Sequence, residues 1–167
     1  MNSIVIMGVA GCGKSSLGVA LARVLGLPLV EGDDHHSPAN RDKMARGIAL
    51  TDADRQDWLA SLGAQLQAHP DGAIVTCSAL KRAYRDRLRQ AAPGLRFVFL
   101  EISRSEAQAR VNARSAHFFS TSLVDNQFAT LEPPVGEPGV LYLDATFSLD
   151  QLQIAVCDWL ATAQESA

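Results

Sequence analysis

The stretch MGVAGCGKSSLG, residues 7–18, follows a short apolar run and precedes a helical pattern of apolar residues. From Gly8 to Ser15 it matches the pattern G-x-x-x-x-G-K-[ST] at every defined position. Glycine adopts backbone conformations that other residues rarely reach, so such a loop can turn its N–H groups toward a phosphate without a Cβ atom in the way. A strand before the motif and a helix after it are the context that phosphate binding requires. The stretch therefore predicts a strand, a phosphate-binding loop and a helix.

The polar residues of this loop have predicted roles in binding a purine triphosphate with Mg²⁺. The helix that begins near Lys14 would direct the positive end of its dipole at the phosphates. Lys14 would reach the β- and γ-phosphates, the Ser15 hydroxyl would ligate Mg²⁺, and Ser16 would contact the α-phosphate. The predicted nucleotide-binding residues are Gly8, Val9, Ala10, Gly11, Cys12, Gly13, Lys14, Ser15, Ser16 and Arg110, with Ser15 as the metal ligand.

The composition is ordinary for a soluble protein and argues against several function classes. The chain has 167 residues, 47% of them apolar and 20% charged, and its net charge is −3. This length suits a single domain over residues 1–167. Without a basic excess we expect no nucleic-acid partner, and without a long apolar run we expect no membrane span. The first residues lack the pattern of an export signal, so we expect a cytoplasmic protein.

Short apolar runs alternate with helical patterns along the chain. Most runs are continuous, which is typical of parallel strands that are buried on both faces. We predict an α/β protein with a three-layer P-loop NTPase fold, a five-stranded parallel sheet with helices on both faces. Residues 112–135 fit no strand, and we interpret them as a mobile lid. The predicted strands are 3–7, 28–30, 73–77, 97–102 and 140–143, and the predicted helices are 14–25, 40–47, 52–68, 81–92, 105–114 and 149–162.

The acidic run EGDDHH, residues 31–36, ends the second predicted strand. Ligands bind parallel sheets at the carboxyl ends of the strands, so this run would face the phosphates across a cleft. An alcohol that accepts a phosphoryl group needs a carboxylate to orient it and to take its proton. Asp33 is the predicted catalytic carboxylate, and Glu31 is expected to support the magnesium shell. The alternative is a solvated acidic turn.

Several basic residues are predicted to lie near the same cleft. Positive charges gathered there favour an anionic acceptor, and an arginine fork suits a carboxylate. Arg55, Lys81 and Arg85 are the predicted ligands of that acceptor, and the alternative is a solvated basic face. Arg110 and Arg114 would neutralise charge on the transferred phosphoryl group, or they are simply arginines of a helix surface.

Four stretches carry a resemblance to a known family: GVAGCGKSS (8–16), EGDDHHSPANRDKMARGIALTDADRQDWL (31–59), CSALKRAYRDRLR (77–89) and ARSAHFFSTSLVDNQFATLEPP (113–134). With them the chain resembles the gluconate kinases, a small bacterial family related to shikimate and adenylate kinases. The resemblance implies that ATP phosphorylates the 6-hydroxyl of D-gluconate, and that the protein has a lid and forms a homodimer. The alternative function is a related kinase for shikimate or another small anionic alcohol. A P-loop switch module without an acceptor is a third hypothesis.

The resemblance and the loop motif together give the predicted site. Asp33 matches the catalytic, acceptor-binding aspartate of the family, and Arg55 matches the arginine expected to hold the acceptor carboxylate. The predicted catalytic residues are Lys14, Asp33 and Arg114. The predicted substrate-binding residues are Asp33, His36, Arg55, Lys81, Arg85 and His117.

Overall fold

A computed structural model describes residues 3–113 and 121–165 of the chain. Its centre is a five-stranded sheet in the order β2-β3-β1-β4-β5, and all neighbouring strands are parallel. The strands are β1 (Ile4–Met7), β2 (Leu29–Glu31), β3 (Ile74–Thr76), β4 (Arg96–Glu101) and β5 (Val140–Asp144). The helices are α1 (Lys14–Leu25), α2 (Pro38–Ala45), α3 (Asp52–Ala68), α4 (Arg82–Ala91), α5 (Arg104–Ala113), α6 (Thr121–Thr130) and α7 (Leu149–Glu165). The predicted fold class is confirmed.

The two faces of the sheet pack against separate apolar clusters. Successive side chains of a strand point to opposite faces, so β1 contributes Ile4 and Ile6 to one cluster and Val5 and Met7 to the other. Helices α1 and α7 complete the first cluster, and α3 and α4 complete the second. Burial on both faces explains why the strands read as continuous apolar runs.

The bounds of α1 and α3 agree with their sequence signals. Helix α1 lies between Gly13 and Gly26, whose φ angles of 97° and 67° are left-handed. Helix α3 begins after Thr51, whose side chain accepts a hydrogen bond from the Asp54 N–H while the Asp54 carboxylate accepts one from the Thr51 N–H. This reciprocal cap satisfies two donors that the helix start would otherwise leave unpaired.

The predicted lid, residues 112–135, contains a helix that the sequence reading missed. Helix α6 packs its buried Val124 into the core, and its apolar positions follow helical spacing. After α6 the chain is tied to α4: the Glu132 N–H donates to the Leu80 carbonyl at 2.7 Å, and the Arg82 N–H donates to the Glu132 carboxylate at 2.9 Å. The end of this segment is therefore fixed to the body of the domain. In the part of the chain that the structure describes, no helix is long and apolar enough to cross a bilayer.

A buried ion pair fixes the segment that leads from α6 to β5. The Arg85 guanidinium and the Glu137 carboxylate are 2.6 Å apart, and their side chains are 0% and 2% exposed. Arg85 also donates to the carbonyls of Ala79 at 2.7 Å and Glu132 at 2.8 Å, and Arg89 donates to Glu137 at 2.9 Å. Burial alone would raise the pKa of Glu137, but the hydrogen bonds from the two arginines lower it below its usual value.

Replacement of Glu137 by glutamine should lower the free energy of unfolding by about 3–5 kcal/mol, because it leaves a buried guanidinium without its counter-charge. The pair stabilises the fold above the unfolded-state pKa of Glu137, and this contribution is lost as the pH falls through the lowered folded-state pKa. The difference between wild type and E137Q in urea unfolding should therefore shrink in acid. The control is D42N, which removes an exposed i,i+4 pair with Arg46 and should change stability by less than about 0.5 kcal/mol. An E137Q protein as stable as D42N would contradict the assignment.

Candidate active site

A cleft of about 150 Å³ opens at the carboxyl ends of the strands. The glycine loop forms one side, and the residues after β2 together with α2 and α3 form the other. Lys14, Ser15, Asp33, His36 and Arg55 all line it. These predicted residues come from three segments: the loop and helix after β1, the turn after β2, and helix α3. The parallel sheet brings the first two segments together, because β1 and β2 end at the same edge on either side of β3.

The glycine loop has the conformation that its sequence predicts. Gly8, Gly11 and Gly13 have φ angles of 145°, 84° and 97°, a region that side chains disfavour. A Cβ atom on Gly8 would also meet the Cys12 sulfur at 2.7 Å and the Leu100 carbonyl oxygen at 2.9 Å. The Cys12 side chain therefore lies behind the loop, where it is 1% exposed, and only its backbone can face a ligand.

The side chain of Lys14 lies against backbone carbonyl oxygens of the glycine loop. The Lys14 ammonium donates to the carbonyls of Gly8 at 3.0 Å and Val9 at 3.1 Å. Ser16 lies exposed in the first turn of α1. Arg110, from α5, donates to the Gly11 carbonyl at 3.3 Å and to the Ala145 carbonyl at 2.9 Å, so its side chain lies against the loop. Lys14 and Arg110 therefore both lie at the glycine loop, and their roles in nucleotide binding stay predictions.

Ser15 and Glu31 form an oxygen-rich pair beside Lys14. The Ser15 hydroxyl donates to Glu31 Oε2 at 3.0 Å, and the Thr76 hydroxyl donates to the same oxygen at 2.5 Å. Oxygen ligands suit Mg²⁺, which is usually held by one or two protein groups together with substrate phosphates. Within residues 3–113 and 121–165, no cluster of three or more His, Cys, Asp or Glu side chains offers a larger metal site. The donor set at Ser15 therefore fits the predicted ion.

Asp33 is placed by a 3₁₀ turn, Gly32–His35, that begins where β2 ends. A Cβ atom on Gly32 would lie 2.1 Å from the Thr76 carbonyl oxygen, so only glycine allows this close approach of β2 and β3. The Trp58 indole N–H donates to the Gly32 carbonyl at 2.8 Å and holds the turn against α3. As a result Asp33 is exposed and lines the cleft, as residues of the glycine loop also do.

His36 is a neutral donor on the acceptor side of the cleft. Its ring stacks on Trp58 with centroids 4.3 Å apart, and its Nδ1 lies 3.3 Å from the Asn40 amide nitrogen. Because that nitrogen only donates, Nδ1 accepts and the ring proton lies on Nε2. Burial lowers the pKa of His36 to about 4; Asp33 opposes the shift, and Arg55 and Arg41 add to it.

Arg55 presents its guanidinium to the same side. One of its nitrogens donates to the Leu50 carbonyl at 2.9 Å and to the Tyr84 hydroxyl at 3.3 Å, and the guanidinium lies 5.5 Å from the centre of the Tyr84 ring. No carboxylate among the described residues forms an ion pair with it. Arg55 is therefore a fixed cation with donors left for an anionic ligand.

Two basic residues of the predicted site do not reach the cleft. Arg85 is fully buried and bound to Glu137, so its predicted role in substrate binding is wrong for this geometry; the helical pattern could not show that α4 turns this residue inward. Lys81 is not among the residues that line the cleft, and its ammonium lies 3.0 Å from the Asp52 carboxylate. Hydrogen bonds from Tyr84 and Lys81 lower the pKa of Asp52, which keeps this pair charged. Arg114 and His117 lie outside the described residues.

Helix α6 supplies functional candidates that the sequence reading missed. Leu123, Asn126, Gln127 and Thr130 line the cleft and form one face of the helix. The Gln127 carboxamide oxygen accepts a hydrogen bond from the Ala10 N–H of the glycine loop at 2.6 Å. The spacing i, i+3, i+4, i+7 within residues 121–130 was the available signal for such a face.

Comparison with known proteins assigns the family. Residues 4–134 match a family model described as an AAA domain. The gluconokinase of Gluconobacter oxydans is 44% identical over 142 residues, which are 83% of this chain and 79% of that protein. The thermoresistant gluconokinase of Escherichia coli is 40% identical over 84% of this chain and 82% of its own length.

The chain belongs to the gluconokinase family. A solved structure agrees: a gluconokinase from Sinorhizobium meliloti superposes with a TM-score of 0.91 at 46% identity, over 99% of this chain and 94% of that one. A deoxyadenosine kinase from M. mycoides shares only the fold, with a TM-score of 0.68 at 14% identity. The resemblance read from the sequence is confirmed, and the members of this family that match are named as kinases of gluconate rather than of shikimate.

The tautomer and charge of His36 can be tested by NMR. In the wild type, ¹⁵N spectra of the imidazole should show the Nε2–H tautomer at neutral pH and titration near pH 4. In N40D a carboxylate would face Nδ1 and favour the imidazolium, so the pKa of His36 should rise by roughly two units. The control N112D adds the same charge at an exposed position of α5 and should leave His36 unchanged. A wild-type His36 that titrates near 6.5, or that carries its proton on Nδ1, would contradict this assignment.

Proposed function

We propose that this gluconokinase-family protein transfers the γ-phosphoryl group of ATP to the 6-hydroxyl of D-gluconate, which gives 6-phospho-D-gluconate and ADP. One observation carries the proposal: an exposed carboxylate, Asp33, and a fixed guanidinium, Arg55, lie in the same cleft as Lys14 of the glycine loop. A phosphoryl donor, a base and an anion-binding group are what a kinase of a small hydroxylated carboxylate requires. The family supports gluconate as that acceptor.

Asp33 is the proposed base. Its carboxylate would accept the proton of the acceptor hydroxyl and orient that oxygen in line with the γ-phosphate. His36, neutral and with its proton on Nε2, would donate a hydrogen bond to another hydroxyl of the acceptor and would take no part in proton transfer. Arg55 would hold the acceptor carboxylate through its remaining donors.

The glycine loop is the proposed phosphate site. Its N–H groups would hold the phosphates, and Lys14 would exchange the carbonyls of Gly8 and Val9 for phosphate oxygens. Ser15 and Glu31 would hold Mg²⁺, which supplies positive charge at the phosphate oxygens when it is bound. Arg110 would contact the nucleotide from α5. Arg114 and His117 remain proposed lid residues on the resemblance alone.

The cellular and assembly properties are also proposals. The family resemblance supports a homodimer, and the cytoplasmic location stays a proposal. The charge and hydropathy of the chain give no support to a nucleic acid or a membrane as a partner.

An acceptor panel tests the function and Asp33 together. ADP release should be rapid with D-gluconate and slow with shikimate. D33N should retain ATP binding but lose about 10²–10⁴-fold in kcat, the usual contribution of a positioned base. D34N is the matched control, because Asp34 is the next residue of the same turn and does not line the cleft. A D33N enzyme with near-normal kcat would remove Asp33 from the base role, and ADP release with shikimate alone would overturn gluconate as the acceptor.

Arg55 can be tested through acceptor charge. R55M should raise the KM for D-gluconate at least about 10-fold, because it removes a charged hydrogen bond to the carboxylate. Any phosphorylation of D-glucitol, a polyol of the same length without a carboxylate, should change little in the same variant. R46M removes an exposed arginine that lies on α2's C-terminal end and should leave both values unchanged. An equal loss with both acceptors would show that Arg55 supports the fold of the cleft instead.

A further inference from the structure

One peptide group of the glycine loop is bound on both sides by side chains. The Val9 carbonyl accepts a hydrogen bond from Lys14 at 3.1 Å, and the N–H of the same peptide group, that of Ala10, donates to Gln127 Oε1 at 2.6 Å. Gln127 is 117 residues away in the chain, so this contact exists only in the folded protein. In a loop of this type the lysine marks the β- and γ-phosphate end. Gln127 therefore reaches the part of the loop where the transferred phosphoryl group would lie.

Helix α6 holds Gln127 in place. Leu123 and Val124 are buried, and Gln108 of α5 donates to Asp125 of α6 at 2.8 Å. The Leu131 N–H donates to the Gln127 carbonyl at 2.8 Å and continues the helical pattern. The backbone of Gln127 is thus fixed, while its half-buried side chain ends in a carboxamide whose last torsion is soft. The carboxamide can turn without any movement of the helix.

The two ends of a carboxamide have opposite hydrogen-bonding character. Its oxygen accepts from Ala10 in this structure, and its NH₂ group is a donor on the same planar group. A phosphate oxygen at this point of the loop offers only acceptors. It would compete with Gln127 Oε1 for the Ala10 N–H, and it would attract the NH₂ group.

We propose that Gln127 is a γ-phosphate-binding residue: its carboxamide oxygen holds the Ala10 N–H, and on ATP binding the carboxamide turns so that its NH₂ group donates to the γ-phosphoryl group. The proposal rests on the proposed function only in taking ATP as the nucleotide. It gives α6 a direct part in phosphoryl binding, on the helix face that also carries Asn126, another residue that lines the cleft. No covalent change is involved, and one hydrogen bond is exchanged for another.

The proposed role explains why a glutamine, which can both accept and donate hydrogen bonds, stands at position 127. A glutamate could accept from Ala10 but could not donate, and its charge would repel the phosphates. A leucine could do neither. A residue that served only as a brace for the loop would need the acceptor alone, which glutamate supplies. The neutral Q127L therefore separates phosphate binding from a structural role, because it cannot donate to a phosphate and adds no charge that repels one.

The test compares two nucleotides that differ at the γ position. Dissociation constants for Mg²⁺–ADP and for Mg²⁺ with adenylyl imidodiphosphate, a non-hydrolysable ATP analogue, would be measured by calorimetry for wild type, Q127L and Q127E. The ratio of the analogue's Kd to that of ADP should rise about 10-fold in Q127L, the usual loss for a hydrogen bond to a charged group, and further in Q127E. Q108L is the matched control, because it loosens the α5–α6 contact without touching the loop, and its ratio should equal that of wild type.

Each outcome of the nucleotide comparison either supports the proposal or overturns it. A ratio that rises in Q127L supports the proposal, and a ratio that rises in Q127E alone overturns it, because charge repulsion then explains the change. A ratio that stays at the wild-type value overturns it, whether the two affinities are unchanged or fall together, because a brace for the loop would affect both nucleotides alike. If Q127L does not fold, Q127M is measured in its place, because its side chain is also neutral, is of similar length and has no donor. A protein that binds the analogue but does not phosphorylate gluconate would refute the proposed function and leave this comparison valid.

Discussion

A single carboxylate oxygen of Glu31 joins three elements of the fold. It accepts hydrogen bonds from Ser15 at the start of α1 and from Thr76 at the end of β3, while Glu31 itself ends β2. The contact is possible because the parallel register of β2 and β3 pairs Glu31 with Thr76. The next residue, Gly32, then passes so close to the Thr76 carbonyl that no side chain fits there. The position of Asp33, and with it the acceptor side of the cleft, follows from this close approach.

The predicted ligand-binding groups of the cleft form hydrogen bonds within the protein. Lys14 lies against loop carbonyls, Ser15 against Glu31, and the Ala10 N–H against Gln127. Each of these groups has a partner of the kind that a nucleotide or a metal ion would replace. Unpaired buried polar groups are costly, so internal partners keep the loop well ordered. Ligand binding would then replace these internal hydrogen bonds. The free energy needed to break them would reduce the net free energy of binding.

Two arginines with similar sequence contexts have opposite roles. The sequence predicts that Arg55 and Arg85 both bind an anionic acceptor, because both are basic residues expected to lie near the cleft. Arg55 lies in the cleft and contacts no carboxylate among the described residues. Arg85 is buried under the segment after α6 and neutralises Glu137. The difference depends on which face of α4 meets the residues near position 137, and that is decided by packing between segments about fifty residues apart.

The sequence alone determined the class of fold, the glycine loop and the family. These features depend on local signals: continuous apolar runs for buried parallel strands, and the glycines of the loop motif, which lie at positions of positive φ. The tertiary structure decided which charged groups are available to a ligand, because burial and ion pairing arise from contacts distant in the chain. It showed that burial lowers the pKa of His36 and that Arg85 is bound to Glu137 in the interior. It also showed that Gln127 reaches the loop across 117 residues, which no local pattern encodes.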